Sequence, residues 1–337
     1  MTPREIVLEQ IHHRPTSPVP YTLRFEDDVA ERLTQYYGTD SWRERLVPYI
    51  VGCCGIDRRK EEPIDEGRTR DLFGSIWRTD RRPFHLEEPG LPSPSFDGYD
   101  FPAAEAFVDP DMKQNALKEL RGQSERFSTI GVGWGLWESC WGIRGFGNAM
   151  MDCVAEPDFF AELLDRLTDL YLAQLELCVD IPADAFMFGD DWGDQRGVMI
   201  GPERWKRYLK PRYARIYEAA HAQGKLVISH CCGSVADILP DMIEIGLDVL
   251  ESVQPEARGM NPYELKKRWG NRITFWGGLG SQSTVPFGSP EEISAEIERL
   301  RREMGKGGGY ILAPAKTLQP ETPTENAVAV LEAFTAE

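Results

Sequence analysis

The chain has 337 residues, of which 41% are hydrophobic and 10% aromatic, so it is long enough for one large α/β domain or two small ones. With 55 acidic against 38 basic residues its net charge is −17, and a surface of that sign repels nucleic acid and anionic membranes. No apolar run approaches the roughly 18 residues of a membrane span. We therefore expect neither nucleic acid nor a membrane as a partner.

The cysteine content indicates a reducing compartment. Seven cysteines are an odd number, and two vicinal pairs, Cys53-Cys54 and Cys231-Cys232, are poorly suited to ordinary disulfides. The chain opens on a short amphipathic pattern rather than on an apolar signal segment. We expect a cytoplasmic protein with free thiols.

The N-terminal third alternates predictable elements with an irregular stretch. We predict a helix over residues 4–12, a strand over 19–25 and a helix from Glu26 to about Tyr37. Residues 39–128 are rich in Pro, Gly, Asp and Arg without a clean period, and we interpret them as a lid-like excursion. Within this excursion we predict short strands near 49–52 and 74–78, a Pro-rich loop over 87–102 and a helix over 110–122.

From residue 129 the pattern becomes a regular alternation of strands and helices. Short apolar runs predict strands at 129–134, 185–188, 225–229, 249–253, 273–276 and 309–313. The 3.6-residue period predicts helices over 156–178 and 202–223, the second one kinked at Pro211. Capping signals open three further helices, at Asn261, at Ser289 and at Thr322-Pro323-Thr324-Glu325.

This alternation predicts right-handed βαβ units and a parallel sheet. Seven strands can be counted, and we expect the eighth within the irregular region. We therefore predict a distorted (β/α)8 TIM barrel that forms a single domain over 1–337, with 39–128 as an N-terminal irregular insertion. The alternative is an open doubly wound sheet, but no Gly-x-Gly-x-x-Gly turn or Walker loop supports it.

A mid-chain stretch, residues 225–235, joins a buried strand to a soft ligand cluster. His230 and Cys232 are two residues apart, so their side chains leave an extended strand end on the same face. An imidazole and a thiolate side by side make half of a zinc site. Gly233 supplies the turn that follows, and Ser234 is a candidate N-cap for a helix starting near Val235. The alternative is a core histidine beside buried structural thiols.

Other polar residues gather where barrel enzymes carry their chemistry, at the carboxyl ends of the strands. They are Asp190, Asp191, Asp194, Gln195, Glu251, Gln254, Gln282, Lys316 and Gln319, with Trp134, Trp137 and Trp192 as candidate walls. Asp190 and Asp191 are either helix caps or functional carboxylates that complete a metal shell or hold a base. No nucleophile elbow or catalytic triad is visible, so serine hydrolysis is unsupported.

With these motifs in view, the chain resembles the uroporphyrinogen decarboxylase superfamily, and within it the branch of corrinoid-linked, zinc-dependent methyltransferases. The resemblance covers most of the chain and is clearest after about residue 140. It is carried by Arg144-Gly145-Phe146-Gly147-Asn148, Gly189-Asp190-Asp191-Trp192-Gly193-Asp194-Gln195, His230-Cys231-Cys232-Gly233-Ser234, Gly246-Leu247-Asp248-Val249-Leu250, Phe275-Trp276-Gly277-Gly278 and Gly309-Tyr310-Ile311-Leu312-Ala313-Pro314.

The resemblance implies a distorted (β/α)8 barrel and two possible activities. The decarboxylases carry an Arg-rich segment after the first strand, whereas residues 21–28 here hold one arginine and three acids. The methyltransferases hold zinc with His-x-Cys-Gly and a later cysteine, and the place of that cysteine is taken by Lys316. We therefore assign the metal to His230, Cys232 and Glu251. The alternatives are Cys231 or Asp191 as the third ligand, or Lys316 as a replacement for the metal.

The resulting hypothesis is a zinc-dependent methyltransferase that moves a methyl group between a small O-, N- or S-methylated substrate, or a thiol, and a corrinoid on a separate protein. Asp190 or Asp191 would position the substrate or protonate the leaving group, and Trp134, Trp192, Gln195, Gln254 and Gln282 would bind it. One alternative is a metal-free decarboxylase in which Asp191 stabilises a cation and Lys316 holds a carboxylate. Another is a non-catalytic barrel that binds a small ligand. A homodimer is the default oligomer.

Overall fold

The computed structural model describes residues 1–57 and 60–336. Its centre is a sheet of seven parallel strands whose order in space follows their order in the chain. The strands are β1 (Ile50–Cys54), β6 (Phe127–Trp134), β7 (Ala185–Gly189), β8 (Leu226–His230), β9 (Val249–Val253), β10 (Thr274–Leu279) and β11 (Tyr310–Pro314). Sequential parallel neighbours joined by helical crossovers are the arrangement that the alternating pattern predicts. Strand β1 lies in the irregular region, where the additional strand was expected.

The segment predicted as the first strand, residues 19–25, runs alongside β11 without forming a full strand. Tyr21 and Phe25 make isolated parallel bridges to Leu312 and Leu318. Backbone hydrogen bonds of 2.9 Å join Thr22 to Leu312 and Leu312 to Pro20. Proline at position 20 has no backbone N–H to donate, so this segment cannot complete a regular ladder.

A second, antiparallel sheet is formed by the chain segment that connects β1 to β6. It contains β2 (Glu61–Asp65), β3 (Arg68–Asp71), β4 (Ile76–Arg78) and β5 (His85–Glu88) in that order. The sequence predicted only the strand that became β4. Most side chains of this sheet are exposed, and Trp77 is its one buried strand residue. A strand without an apolar face lacks the alternation on which strand prediction depends.

Helices follow the strands of the parallel sheet. The helices before β7 are α1 (Pro3–Ile11), α2 (Asp27–Tyr37), α3 (Pro110–Arg121), α4 (Leu136–Arg144), α5 (Phe146–Ala155) and α6 (Pro157–Leu177). The later ones are α7 (Pro202–Arg204), α8 (Lys210–Ala222), α9 (Leu239–Glu244), α10 (Pro262–Trp269), α11 (Thr284–Phe287), α12 (Pro290–Met304) and α13 (Thr324–Thr335). Short 3-10 turns lie at Ser41–Arg45 and Ala104–Phe107, and a π turn at Trp205–Leu209.

The sequence signals for individual helices have mixed outcomes. Helix α12 opens with the predicted capping box between Ser289 and Glu292, and Asn261 caps α10 through two backbone N–H groups. Helix α13 has no side-chain cap, so the third predicted capping signal is wrong. The predicted irregularity near Pro211 is the π turn just before α8.

Helix α6 shows why periodicity succeeds where it does. Its seven predicted core positions, Phe160, Leu163, Leu164, Leu167, Leu170, Tyr171 and Leu175, are all buried. Such a stripe at 3.6-residue spacing is the buried face of an amphipathic helix. No helix of the described residues has both the length and the apolar composition that are needed to cross a bilayer.

Candidate active site

The centre of the candidate site lies at the carboxyl ends of β7, β8 and β9. Register pairs place Trp134, Gly189, His230, Glu251 and Trp276 in one row across five neighbouring strands. Paired residues of parallel strands point to the same side of the sheet. His230 and Glu251 therefore share one face, with an indole at either end of the row and no side chain at the glycine between.

Three potential metal ligands converge at this row. In the part of the chain that the structure describes, Asp191, His230 and Cys232 form a group whose ligand atoms all lie within 4.8 Å of one another. The side chains of His230 and Asp191 are 33% and 38% exposed, so a ligand can reach them from solvent. The predicted pair of imidazole and thiolate is brought together here, and Asp191 joins it.

The spacing of these atoms suits zinc. Zinc bonds of about 2.0–2.3 Å at tetrahedral angles place neighbouring ligand atoms roughly 3.4–3.6 Å apart. Nε2 of His230 lies 3.4 Å from Sγ of Cys232 and 3.6 Å from Oδ1 of Asp191. One nitrogen, one sulfur and one oxygen are also a donor set that zinc accepts. Three protein ligands leave the fourth tetrahedral position open, as in catalytic zinc sites.

Glu251 contacts the other ring nitrogen of His230. Its carboxylate is hydrogen-bonded to Nδ1 of His230, the ring nitrogen opposite to the one that faces Cys232. Burial lowers the pKa of His230, but the charge of Glu251 and the contact with Cys232 outweigh it and hold that pKa well above the ordinary value. A carboxylate on the distal nitrogen of a metal-binding histidine orients the ring. The carboxylate grouped with His230 and Cys232 is thus that of Asp191, while Glu251, the predicted third ligand, is hydrogen-bonded to the other ring nitrogen.

The loop after β8 holds Cys232 in place. Its backbone N–H donates to Oδ1 of Asp191 at 2.7 Å. The next residue, Gly233, has a φ of +76°, and a Cβ there would lie 2.6 Å from the carbonyl oxygen of Asp194. The N–H of Gly233 donates to the side-chain oxygen of Gln254 at 2.8 Å. Gln254, which was predicted to bind substrate, therefore stabilises the loop through this hydrogen bond.

The structure also bears on two other residues of this loop, Ser234 as a predicted helix cap and Cys231 as an alternative metal ligand. Ser234 does not cap a helix, because α9 begins only at Leu239 and the Ser234 hydroxyl donates to the carbonyl of Arg258. Cys231 is fully buried, and its sulfur accepts the backbone N–H of Trp192 at 3.2 Å. Burial raises the pKa of the Cys231 thiol well above its ordinary value, so this thiol stays protonated and is a poor metal ligand.

Asp190 anchors the beginning of α4. It is fully buried, and its carboxylate accepts the backbone N–H groups of Trp137 and Glu138 at 3.0 and 2.8 Å. The Tyr213 hydroxyl and the Trp192 indole N–H donate to it as well, both at 2.5 Å. The first N–H groups of a helix need acceptors, and Gly135 offers α4 no side-chain cap. Asp190 therefore caps a helix from a neighbouring strand, which corresponds to the capping alternative left open by the sequence.

Sequence reasoning missed Glu138. It belongs to α4, which was not predicted, and its carboxyl accepts the backbone N–H of Asp191. Burial raises the pKa of Glu138, and the charges of Asp190 and Asp191 raise it further. The close approach of α4 depends on Gly135, where a Cβ would lie 2.3 Å from Asp190. The run Gly133-x-Gly135 ahead of an acidic residue was the available signal.

The predicted aromatic walls divide into two groups. Trp192 and Trp137 are buried, and Trp192 packs against Trp205 and Tyr213 with ring centroids 5.4 and 5.0 Å apart. Trp134 remains 38% exposed beside the row of site residues. It contacts Trp141 at 4.9 Å and Trp77 at 5.5 Å, so the antiparallel sheet is attached next to the site.

The remaining predicted residues lie on the rim. Gln195 is exposed, and its carbonyl accepts the N–H of Arg258. Gln282 borders an open surface hollow, with Glu256 accepting its backbone N–H. Lys316 lines a different cavity of about 80 Å³, together with Glu251. The structure therefore brings Lys316 close to the His230 pair and leaves Gln195 and Gln282 at the periphery.

The chain matches one family model and curated relatives of two kinds. Residues 114–336 match the family model described as "Uroporphyrinogen decarboxylase (URO-D)". A curated relative, the methylcobamide:CoM methyltransferase MtaA of Methanosarcina barkeri, is 28% identical over 183 residues, which are 53% of this chain and 50% of the relative. The uroporphyrinogen decarboxylase of Coxiella burnetii is 25% identical over 182 residues, 53% of this chain and 47% of its own. The chain thus spans about half the length of the curated relatives that it matches.

A solved structure resembles the whole fold. It is a methyltransferase from Methanosarcina mazei, which superposes with a TM-score of 0.73 over 99% of this chain and 98% of its own, at 20% sequence identity. At that identity the likeness establishes the architecture alone. The present chain therefore shares its overall fold with the Methanosarcina mazei protein.

Proposed function

Because the chain belongs to the uroporphyrinogen decarboxylase family, whose model covers about two thirds of it, we propose that it is one of the family's metal-dependent methyltransferases. The reaction moves a methyl group between a small O-, N- or S-methylated substrate, or a thiol, and a corrinoid carried by a separate protein. The observation that carries this proposal is the group Asp191, His230 and Cys232, with atoms spaced for zinc. The methyltransferase relative provides independent support for the activity class.

The residues of this chain have distinct roles in the proposal. His230, Cys232 and Asp191 hold the metal, which supplies the positive charge that keeps a thiol deprotonated or polarises an oxygen at neutral pH. Glu251 orients His230 through the distal ring nitrogen. Glu138, on which the charges of Asp191 and His230 act, offers a carboxyl group to the substrate, and the exposed Trp134 offers an apolar wall.

A thiol acceptor takes up the methyl group by displacement at the methyl carbon. The thiol loses its proton to solvent, and the sulfur forms a bond to the methyl carbon. The carbon–cobalt bond of the methylated corrinoid breaks, and its electron pair remains on cobalt. The protein's contribution is to hold the sulfur deprotonated and aligned with that bond.

The test begins with the metal content of protein purified without a chelator. We expect about one zinc per chain, with substantial loss in His230→Ala and Cys232→Ser and a smaller loss in Asp191→Asn. His85→Ala, which removes an exposed histidine of β5, is the matched control and should retain the metal. Methyl transfer from methylcobalamin to mercaptoethanesulfonate, followed by the visible spectrum, should require the same three residues. Zinc well below one per chain, with His230→Ala fully active, would contradict the proposal.

A second candidate is a metal-free decarboxylase. The favouring observations are the direct contact between Cys232 and His230, which is possible without a metal, and the exposed Lys316 where a third cysteine was expected. In this candidate Asp191 stabilises a cationic intermediate and Lys316 holds a substrate carboxylate. Release of CO₂ from carboxylated substrates, without metal or corrinoid, would favour the decarboxylase over the methyltransferase.

The domain organisation is part of the proposal. We interpret the whole chain as one barrel domain, closed by residues 19–25, with 39–128 as a lid beside the site. The support for the lid is the contact of Trp77 with Trp134 and Trp141. The homodimer and the cytoplasmic location stay predictions from the sequence.

A further inference from the structure

Helix α5 presents an apolar side to solvent. The exposed or half-exposed residues on that side are Phe146, Gly147, Met150, Met151, Val154 and Ala155. The side chains of Phe146, Met151 and Val154 are 48%, 60% and 61% exposed. The charged residue of α5, Asp152, lies in a buried ion pair, and its amide residue, Asn148, donates to a backbone carbonyl. Single exposed apolar residues are ordinary on a protein surface, but a whole helix side made of them is typical of an interaction surface.

The order of these six residues makes the apolar side of α5 complementary to itself. They form two adjacent rows, each with the four-residue spacing that keeps side chains on one side of a helix. The aromatic ring lies at the amino end, the two methionines in the middle, and the smaller valine and alanine at the carboxyl end. When a second copy of α5 packs antiparallel, Phe146 faces Ala155, Gly147 faces Val154 and Met150 faces Met151. Large residues therefore meet small ones, and flexible methionines fill the centre.

Gly147 is the residue on this side that the single chain does not explain. Its φ lies outside the left-handed region that favours glycine. A Cβ at this position would have no described atom within 4 Å, apart from its chain neighbours and the backbone of its own helix. Glycine is an unfavourable residue in a helix, so its presence here needs another reason. A missing side chain on a helix surface lets a second helix approach closely, and Val154 of the partner subunit would occupy that space.

The surface next to α5 extends the apolar side to the size of an interface. A standard interface takes roughly 20–30 residues from each partner, which is more than α5 supplies. The antiparallel sheet adjoins the amino end of α5, because a Cβ at Gly145 would lie 4.0 Å from Cδ2 of Leu86. Two residues before Leu86, Phe84 is 52% exposed and adds an aromatic ring at this end. The mostly polar strands of that sheet then form the rim that surrounds an apolar centre in protein interfaces.

The charge of the chain also favours this side for self-association. At a net charge of −17 two copies repel each other over most of their surface. The exposed side of α5 adds no carboxylate to that repulsion, because Asp152 is buried and paired. In an antiparallel pair, the positive end of each helix dipole also lies beside the negative end of the other.

We propose that the apolar side of α5 is the contact surface of a homodimer, in which α5 packs antiparallel against α5 of a second copy. The two-fold axis passes close to Met150 and Met151. The occupant is a second copy rather than an unrelated protein, because the large residues of this side face small ones of the same side across that axis. The homodimer that the sequence suggested as a default thereby acquires a defined surface. The dimer needs neither metal nor substrate, so it is independent of the proposed function.

The test is sedimentation velocity of the full chain between about 1 and 100 µM, since the dimer population rises with concentration. We expect a dimer whose Kd increases about tenfold or more in Met151→Glu, because a carboxylate would be buried among apolar side chains. Gly147→Leu should weaken it similarly while leaving the far-ultraviolet circular dichroism unchanged, because the single chain has room for the side chain. Val179→Glu is the matched control and should keep the wild-type Kd, since Val179 is 55% exposed at the opposite end of the sheet, between α6 and β7.

A pair of opposite charges separates a broken contact from a misfolded chain. Met151→Lys should dissociate the dimer as well, and an equimolar mixture of the Met151→Glu and Met151→Lys variants should associate again, because the two positions meet near the axis. Raising the ionic strength from about 0.05 M to about 0.5 M should tighten the wild-type dimer by screening the repulsion between like charges. A chain that is monomeric over the whole concentration range would overturn the proposal. So would a dimer that salt weakens, or one that Met151→Glu and Gly147→Leu leave intact.

Discussion

His230 uses both ring nitrogens, and this double use is the main feature of the site at the scale of single residues. Nε2 faces Cys232 and Asp191, while Nδ1 is bound by Glu251. A ring held at both ends cannot rotate away, so the ligand group is ordered before a metal arrives. The negative charge of Glu251 also makes Nε2 more basic, and therefore a stronger ligand for a metal ion.

The contribution of Glu251 to zinc affinity can be measured separately from the contributions of the proposed ligands. We predict that Glu251→Gln lowers zinc affinity by about 10–100-fold, because the amide keeps a hydrogen-bonding group but removes the charge. Competition with a chromophoric chelator at neutral pH measures this change. Glu256→Gln alters an acid on the loop after β9 and is the control. Equal affinity of both variants and the wild type would show that Glu251 does not support the metal.

Asp190 and Asp191 show how neighbours in sequence acquire different roles. Asp190 is saturated by four donors inside the protein, whereas Asp191 is partly exposed beside His230. The sequence located both at a strand end but could not tell them apart. Which of two adjacent carboxylates points inward depends on α4, whose packing is not encoded near either residue.

At the scale of elements, the junction of α4 and α5 depends on a buried ion pair. Arg144 and Asp152 are 2% and 4% exposed, with Nε of Arg144 2.7 Å from Oδ2 of Asp152. Arg144 also donates to the carbonyl of Leu91, so the same guanidinium fixes the Pro-rich loop. The pair therefore joins two helices and one loop next to the candidate site.

We predict that Asp152→Ala lowers the free energy of unfolding by about 3–5 kcal/mol, because it leaves the Arg144 charge buried without its partner. Urea denaturation followed by circular dichroism measures the change. The exposed pair of Arg166 and Glu162 on α6 is the comparison, and Glu162→Ala should cost less than about 1 kcal/mol. Similar small losses in both variants would contradict the structural role of the buried pair.

The contact between α8 and β9 gives a prediction about pH. Nε2 of His221 lies 2.8 Å from Oδ2 of Asp248, and this hydrogen bond raises the pKa of His221 despite partial burial. The stabilisation is fully present below the unfolded pKa of about 6.5 and is lost as pH rises through the higher folded pKa. The stability difference between wild type and His221→Gln should therefore shrink between about pH 6 and pH 9. A difference that is constant over this range would contradict the prediction, and His85→Gln is the control.

At the scale of the whole molecule, the sequence predicted the repeated strand–helix units well and the antiparallel sheet poorly. Strands from β6 to β11 and the buried stripe of α6 follow from periodicity, because each buries a continuous apolar surface. The antiparallel sheet β2–β5 did not follow, because β2 is exposed along its full length. Its attachment through Trp77 is a contact between distant parts of the chain, which no local pattern contains.

The candidate site, like the fold, was predicted from the sequence only in part. The half-site of His230 and Cys232 was predictable because two residues on one strand end have a fixed relation. The third member of the group was not, since Asp191 follows β7 and Glu251 lies on β9, which both flank β8, and only the packed structure decides which nitrogen of His230 each one faces. Arg24 was noted as one arginine among acids, and its proximity to Lys316 required the pairing of residues 19–25 with β11.

Helix α2, near the start of the chain, is in contact with α13 and the residues just before it, near the end of the chain. Arg32 on α2 donates to the carbonyl of Thr322, a sequence separation of 290 residues, and Tyr37 donates to Glu332 on α13. Contacts of such separation form late, because a long loop must first be closed. The nascent chain therefore keeps an open sheet edge until synthesis has passed Leu318, because only then can residues 19–25 pair with β11 and the residues that follow it.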